Sequence, residues 1–168
     1  MNEFDMVTVI NRPANKVFAY LVDFEKASLW NRNLREARKT SEGPLGVGST
    51  ILFVGKFLGR PIGSVAECTD FVANERFATK PISGPFYLEV DHRLQEVDGG
   101  TRLATVYRGE SRGFFKLAES VIVRATRKQF ETAAENLKTL MEAGPPQGRP
   151  RRALLRRHPA RTPPTRLN

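Results

Sequence analysis

The order in which the hydrophobic period changes along this chain leaves few folds open. Met6-Val7-Thr8-Val9-Ile10 is β-branched and apolar, as a strand requires. Asn11-Arg12 leads into Pro13, which suits the first turn of a helix, and Val17, Phe18, Leu21 and Val22 recur behind it at helical spacing. A second short helix is expected over 23–30. From Arg35 to Gly109 the pattern alternates, broken by glycine turns, and one long helix, about Phe114 to Ala143, closes the folded part. A block of strands needs cover for its apolar face, and one long helix is all that the chain supplies. A sheet curling around a single helix tends to leave a space between the two. The pattern therefore predicts an α+β fold suited to enclosing something apolar.

Strand candidates are 35–40, 50–57, 62–71, 76–81, 86–97 and 101–108. Their separators have turn chemistry: Gly43-Pro44-Leu45-Gly46, Leu58-Gly59-Arg60 and, most clearly, Asp98-Gly99-Gly100. Successive hairpins imply an antiparallel meander. In the last helix Phe114, Leu117, Val121, Ile122, Phe130, Ala133, Leu137 and Met141 follow steps of three and four, and Gly144-Pro145 ends the run.

The net charge of +9 misleads until it is divided. After Glu142 there is no acidic residue, while Arg149, Arg151, Arg152, Arg156, Arg157, Arg161 and Arg166 supply seven positive charges. Removing those seven leaves +2 for the rest. Six prolines in the same segment forbid regular structure there. The chain is thus expected to hold one domain, 1–144, and a disordered Arg/Pro-rich tail, 145–168. The domain gives no charge argument for nucleic acid, and the tail has no aromatic residue on which bases stack. Weak contact of the tail with an anionic membrane is one reading; a solvated extension is the plainer one. No apolar run approaches the ~20 residues of a membrane-spanning helix, and the acidic start, Asn2-Glu3-Phe4-Asp5, does not read as a signal peptide. A lone Cys68 precludes an internal disulfide and fits a cytoplasmic protein. Nothing in the sequence sets an oligomeric state.

The stretch Ile10-Asn11-Arg12-Pro13-Ala14-Asn15-Lys16-Val17-Phe18-Ala19-Tyr20-Leu21-Val22-Asp23 resembles the opening strand and helix of START-like (SRPBCC) proteins. These include the polyketide cyclase/dehydratase group and relatives of the major birch-pollen allergen. The similarity continues through Trp30-Asn31, Gly48, Gly99-Gly100-Thr101-Arg102-Leu103 and the long helix, over about residues 4 to 143. It implies a helix-grip fold, in which a curved antiparallel sheet wraps around the C-terminal helix and encloses a cavity. It also implies hydrophobic ligands such as lipids, sterols or polyketides, and in some members polyketide cyclisation or dehydration.

Alternation over 86–97 puts Phe86, Leu88, Val90, His92 and Leu94 on one face, expected to be the concave one. His92 would then be a polar group in the cavity, able to bond a ligand carbonyl or move a proton. The competing reading is a core histidine satisfied by the backbone. On the next strand neither face is clearly apolar, so either Tyr107 or Arg108 points inward; His92, Tyr107 and Arg108 are the catalytic candidates. Phe53, Trp30, Phe114, Leu117 and Val121 join Phe86, Leu88, Val90 and His92 as candidate ligand contacts. There is no phosphate-cradling glycine loop, no nucleophile elbow and no His/Cys pair at metal spacing, so neither metal nor cofactor is expected. The leading expectation is a carrier or sensor of a hydrophobic small molecule: a lipid, quinone or polyketide. The alternatives are an aromatase/cyclase or dehydratase using the same cavity, and an interaction protein docking on RNA or anionic lipid through its tail.

Overall fold

The computed structural model describes residues 2–57, 59–85, 87–110 and 119–143. Seven strands alternate with three short helical pieces and one long helix. They are β1 Asn2–Ile10, α1 Ala14–Leu21, a 3-10 turn Phe24–Lys26, α2 Ala27–Trp30, β2 Leu34–Lys39, β3 Thr50–Phe57, β4 Arg60–Val72, β5 Arg76–Ser83, β6 Tyr87–Val97, β7 Gly100–Glu110 and α3 Glu119–Glu142. All strands join one curved sheet in the order β1-β7-β6-β5-β4-β3-β2, every neighbour antiparallel. The meander is thus continuous from β2 to β7, and β1 returns to pair with the last strand. This is the helix-grip fold.

Local chemistry explains the elements. Pro13, in extended geometry, sets the entry to α1, whose inward side chains Val17, Phe18 and Leu21 are buried. The turn between β6 and β7 uses Gly99 at φ +77°, a backbone conformation that favours glycine. The first strand begins at Asn2 rather than Met6. Glu3 and Asp5 obscure its alternation in sequence, because they lie on the outer face while Phe4 and Met6 lie on the inner one.

The core is concentrated at one end of the molecule. Ile10, Val17, Phe18, Leu94, Leu103 and Leu137 belong to one cluster, joining the end of β1, α1, the turn end of β6 and β7, and the second half of α3. Polar bonds hold this end as well. Lys138 Nζ donates to the Val9 carbonyl at 2.7 Å, and the Asn11 backbone N–H donates to Glu142 Oε1 at 2.9 Å. Arg12 donates to the Glu142 carbonyl at 3.1 Å. The second half of α3 is therefore fixed to β1, and space between helix and sheet opens under the first half.

Among the described residues no helix is long and apolar enough to cross a membrane. Phe86, Phe114, Leu117 and the tail 145–168 lie outside the described residues.

Candidate functional site

A cavity of about 300 Å³ lies between the curved sheet and residues 122–130 of α3. The strand register shows how its floor is built. Phe77 on β5, His92 on β6 and Thr105 on β7 are opposed in one cross-strand row; Thr79, Val90 and Tyr107 form the next. Because side chains two apart share a face, both rows point into the concave side. Leu88 and Gly109 continue the floor toward the end of the sheet, and Phe24, Trp30 and Phe53 supply the side walls.

The middle of the floor carries the polar groups. His92 Nδ1 lies 2.8 Å from Thr105 Oγ1, and the imidazole is parallel to the Phe77 ring at 6.3 Å between centroids. No other described residue bonds Nε2, which remains reachable from the cavity. Burial lowers the His92 pKa to about 4 against the opposing pull of the Asp91 carboxylate, so the ring is neutral near pH 7. Tyr107 is only 7% exposed. Burial pushes its phenol well above the ordinary value, with the Thr105 hydroxyl acting the other way. Its ring stacks on Phe4 of β1 at 4.9 Å and on Phe130 of α3 at 4.2 Å. Tyr107 thus joins the sheet edge to the helix as well as lining the cavity.

The sequence leaves the inward face of β7 open, and the register decides it. Arg108 is opposed to Glu3 on the outer face, where Arg108 Nε donates to Glu3 Oε2 at 2.6 Å. Arg108 is therefore removed from the site, and Tyr107 takes the inward position. Val121 is also corrected. It is 66% exposed, because the inward line of α3 passes through the buried Ile122, Ala133 and Leu137, with Phe130 half-buried between them. The helix instead adds Ile122, Val123 and two polar residues, Thr126 and Gln129, to the cavity wall. A search for apolar stripes passes over both polar ones, and over Thr79, Ser64 and Asn31, which also line the space.

Leu88, Val90, His92, Phe53 and Trp30 all line the cavity, in keeping with the alternation and the resemblance. The Trp30 indole N–H is buried and finds no partner among the described residues, while its carbonyl accepts a bond from Asn136 Nδ2 at 3.1 Å. Cys68 is fully buried beside the opposed Thr79, and its thiol is pushed up by burial. No group of three or more His, Cys, Asp or Glu among the described residues is placed to hold a metal.

At the side of the cavity β3 comes very close to Asn33, the residue that leads into β2. A Cβ on Gly55 would stand 2.4 Å from the Asn33 carbonyl oxygen. Gly55→Ala must push β3 and Asn33 apart, at an expected cost of about 1–3 kcal/mol; a urea unfolding midpoint unchanged from wild type would contradict this close approach.

The family model described as "Polyketide cyclase / dehydrase and lipid transport" matches residues 1–142. No curated protein matches the sequence. Solved structures similar to this one include TTHA0849 from Thermus thermophilus, with a TM-score of 0.73 at 15% identity over 83% of this chain and 97% of that one. A START superfamily protein from Mycobacterium smegmatis superimposes with a TM-score of 0.70 at 14% identity, over 83% and 98%. The Zhui aromatase/cyclase from a Streptomyces species does so with 0.69 at 11% identity, over 84% and 93%. At these identities the structural likeness concerns the fold alone.

Proposed function

We propose that this chain, which belongs to the polyketide cyclase / dehydrase and lipid transport family of START-like proteins, holds a hydrophobic small molecule between its sheet and the first half of α3. The observation that carries the proposal is the cavity of about 300 Å³, lined mostly by apolar side chains, with His92 of β6 and Tyr107 of β7 in its floor. Burial of apolar ligand surface, at roughly 25 cal/mol per Å², drives entry. His92 Nε2 and the Tyr107 hydroxyl orient the ligand by bonding its polar groups, with Thr105 holding His92 from behind.

The same groups favour holding over turnover. A general base works best with a pKa near the operating pH. His92 lies near 4 and the Tyr107 phenol far above neutrality, so neither is poised to carry a proton at pH 7. The cyclase reading draws on the resemblance to the aromatase/cyclase structure. It requires the ligand itself to bring a group that raises the His92 pKa.

Val90, at the centre of the floor, gives the test. Native mass spectrometry of purified protein, followed by extraction, should find a retained apolar compound, and Val90→Trp should lose it while its thermal transition stays cooperative. Equal retention by the filled variant, or no apolar compound held by wild type in the presence of excess 1-pyrenebutanol, would reject the reading.

A further inference from the structure

A second cavity of about 130 Å³ adjoins the first and shares most of its lining with it, including Asn31, Phe53, Ser64 and Gln129. Its own contribution comes from the β2–β3 corner, at Asn33, Gly55 and Lys56. Three of the residues common to both spaces are polar, Asn31, Ser64 and Gln129, and they stand where the two cavities meet. The Gln129 carboxamide and the Ser64 hydroxyl make no bond to any described residue. Asn31 Oδ1 accepts from the Asn33 N–H at 3.2 Å, which leaves the Asn31 amide N–H groups to donate. Ser64 shares its strand face with Ile62 and Ala66, so its hydroxyl belongs to the concave side. We propose that this annex is the head-group subsite of the same ligand and that it takes an uncharged hydrogen-bonding group: a hydroxyl, a ketone or an amide. The inference rests on the larger cavity holding the ligand's apolar body.

The charge inventory selects an uncharged group. Among the described residues Lys56 is the one cation in the annex lining; it is exposed and follows the buried Gly55, so alternation turns its side chain to the outer face, while its backbone N–H donates to the Asn33 carbonyl at 2.8 Å. The larger cavity has one charged lining residue among those described, Glu110, and it is negative. A carboxylate or phosphate head would lose its water without gaining a cation, a penalty that the amide and hydroxyl groups do not offset. A neutral hydroxyl both donates and accepts, and the annex offers Gln129, Ser64 and Asn31 for both roles.

Three probes with one aromatic body separate the possibilities: 1-pyrenebutanol, 1-pyrenebutyrate and 1-butylpyrene, titrated at pH 7.5 by pyrene fluorescence. Wild type is expected to bind pyrenebutanol about tenfold or more tighter than pyrenebutyrate. Gln129→Leu and Ser64→Ala should each reduce the preference of pyrenebutanol over butylpyrene by about tenfold or less, and together erase it. Pyrenebutyrate bound as tightly as pyrenebutanol would overturn the assignment, as would variants that weaken all three probes equally. Failure of all three to bind wild type would overturn the ligand-holding reading itself, and the two failures are thereby distinct.

Discussion

Tyr107→Ala is expected to lower the free energy of unfolding by about 3–5 kcal/mol, the cost of deleting a large buried aromatic side chain. Tyr107 is the common member of a three-ring cluster that reaches Phe4 on β1 and Phe130 on α3. Each stacked pair adds about 0.5–1.5 kcal/mol beyond the area buried. The remainder is the void left under the first half of α3, where no second layer of core replaces the ring. Tyr107→Phe keeps the rings and removes only the hydroxyl next to Thr105, so its expected cost is about 1 kcal/mol. Urea denaturation of both variants checks the pair. A Tyr107→Ala loss as small as that of Tyr107→Phe would mean that the cluster does not join the helix to the sheet.

The second large effect is a pH dependence. His92 titrates near 6.5 in an unfolded chain and at about 4 in the folded one. Above pH 6.5 both states are neutral there and His92 costs nothing. As pH falls from 6.5 toward 4 the unfolded state takes up a proton that the folded state refuses, so stability falls through that window. At 1.36 kcal/mol per unit the full loss is about 3 kcal/mol. The decisive quantity is the difference between wild type and His92→Gln, which cancels every other group. Glutamine keeps a polar partner for Thr105 and does not titrate. Thermal midpoints from pH 7.5 to 4.5 should fall less steeply in the variant, and parallel curves would show that His92 is not held neutral by burial.

Much of this architecture can be read from residues. Asp98-Gly99-Gly100 marks a turn whose second residue needs a positive φ, and the strands on both sides follow from it. On β6 the apolar alternation of Leu88, Val90, His92 and Leu94 identifies the inner face, because the opposite face is almost wholly charged or polar. β7 resists the same logic. Leu103, Thr105 and Tyr107 alternate with Ala104, Val106 and Arg108, and hydrophobicity alone does not separate two mixed faces. What decides is a contact across the sequence: pairing with β1 sets Arg108 opposite Glu3. On α3 three consecutive apolar residues, Val121 to Val123, leave the helix rotation undetermined, so the stripe admits Val121 inward where Ile122 holds the place. Polar lining is the least legible part. Gln129 and Ser64 belong to no motif, and Asn31 enters only through the resemblance; their common place in the lining emerges from the fold.

The bonds from α3 to β1 also bear on how these molecules behave when crowded together. An edge strand offers unpaired backbone groups to any passing chain, and β1 and β2 are the two edges of this sheet. On β1 the Lys138 ammonium occupies the Val9 carbonyl, and α3 lies along the strand. The β2 edge carries Arg35, Glu36, Arg38 and Lys39, which repel a copy of themselves in parallel alignment. Strand addition is thus obstructed at both ends by charge rather than by extra structure. Neither edge therefore offers a bare, uncharged strand to a second copy of the sheet.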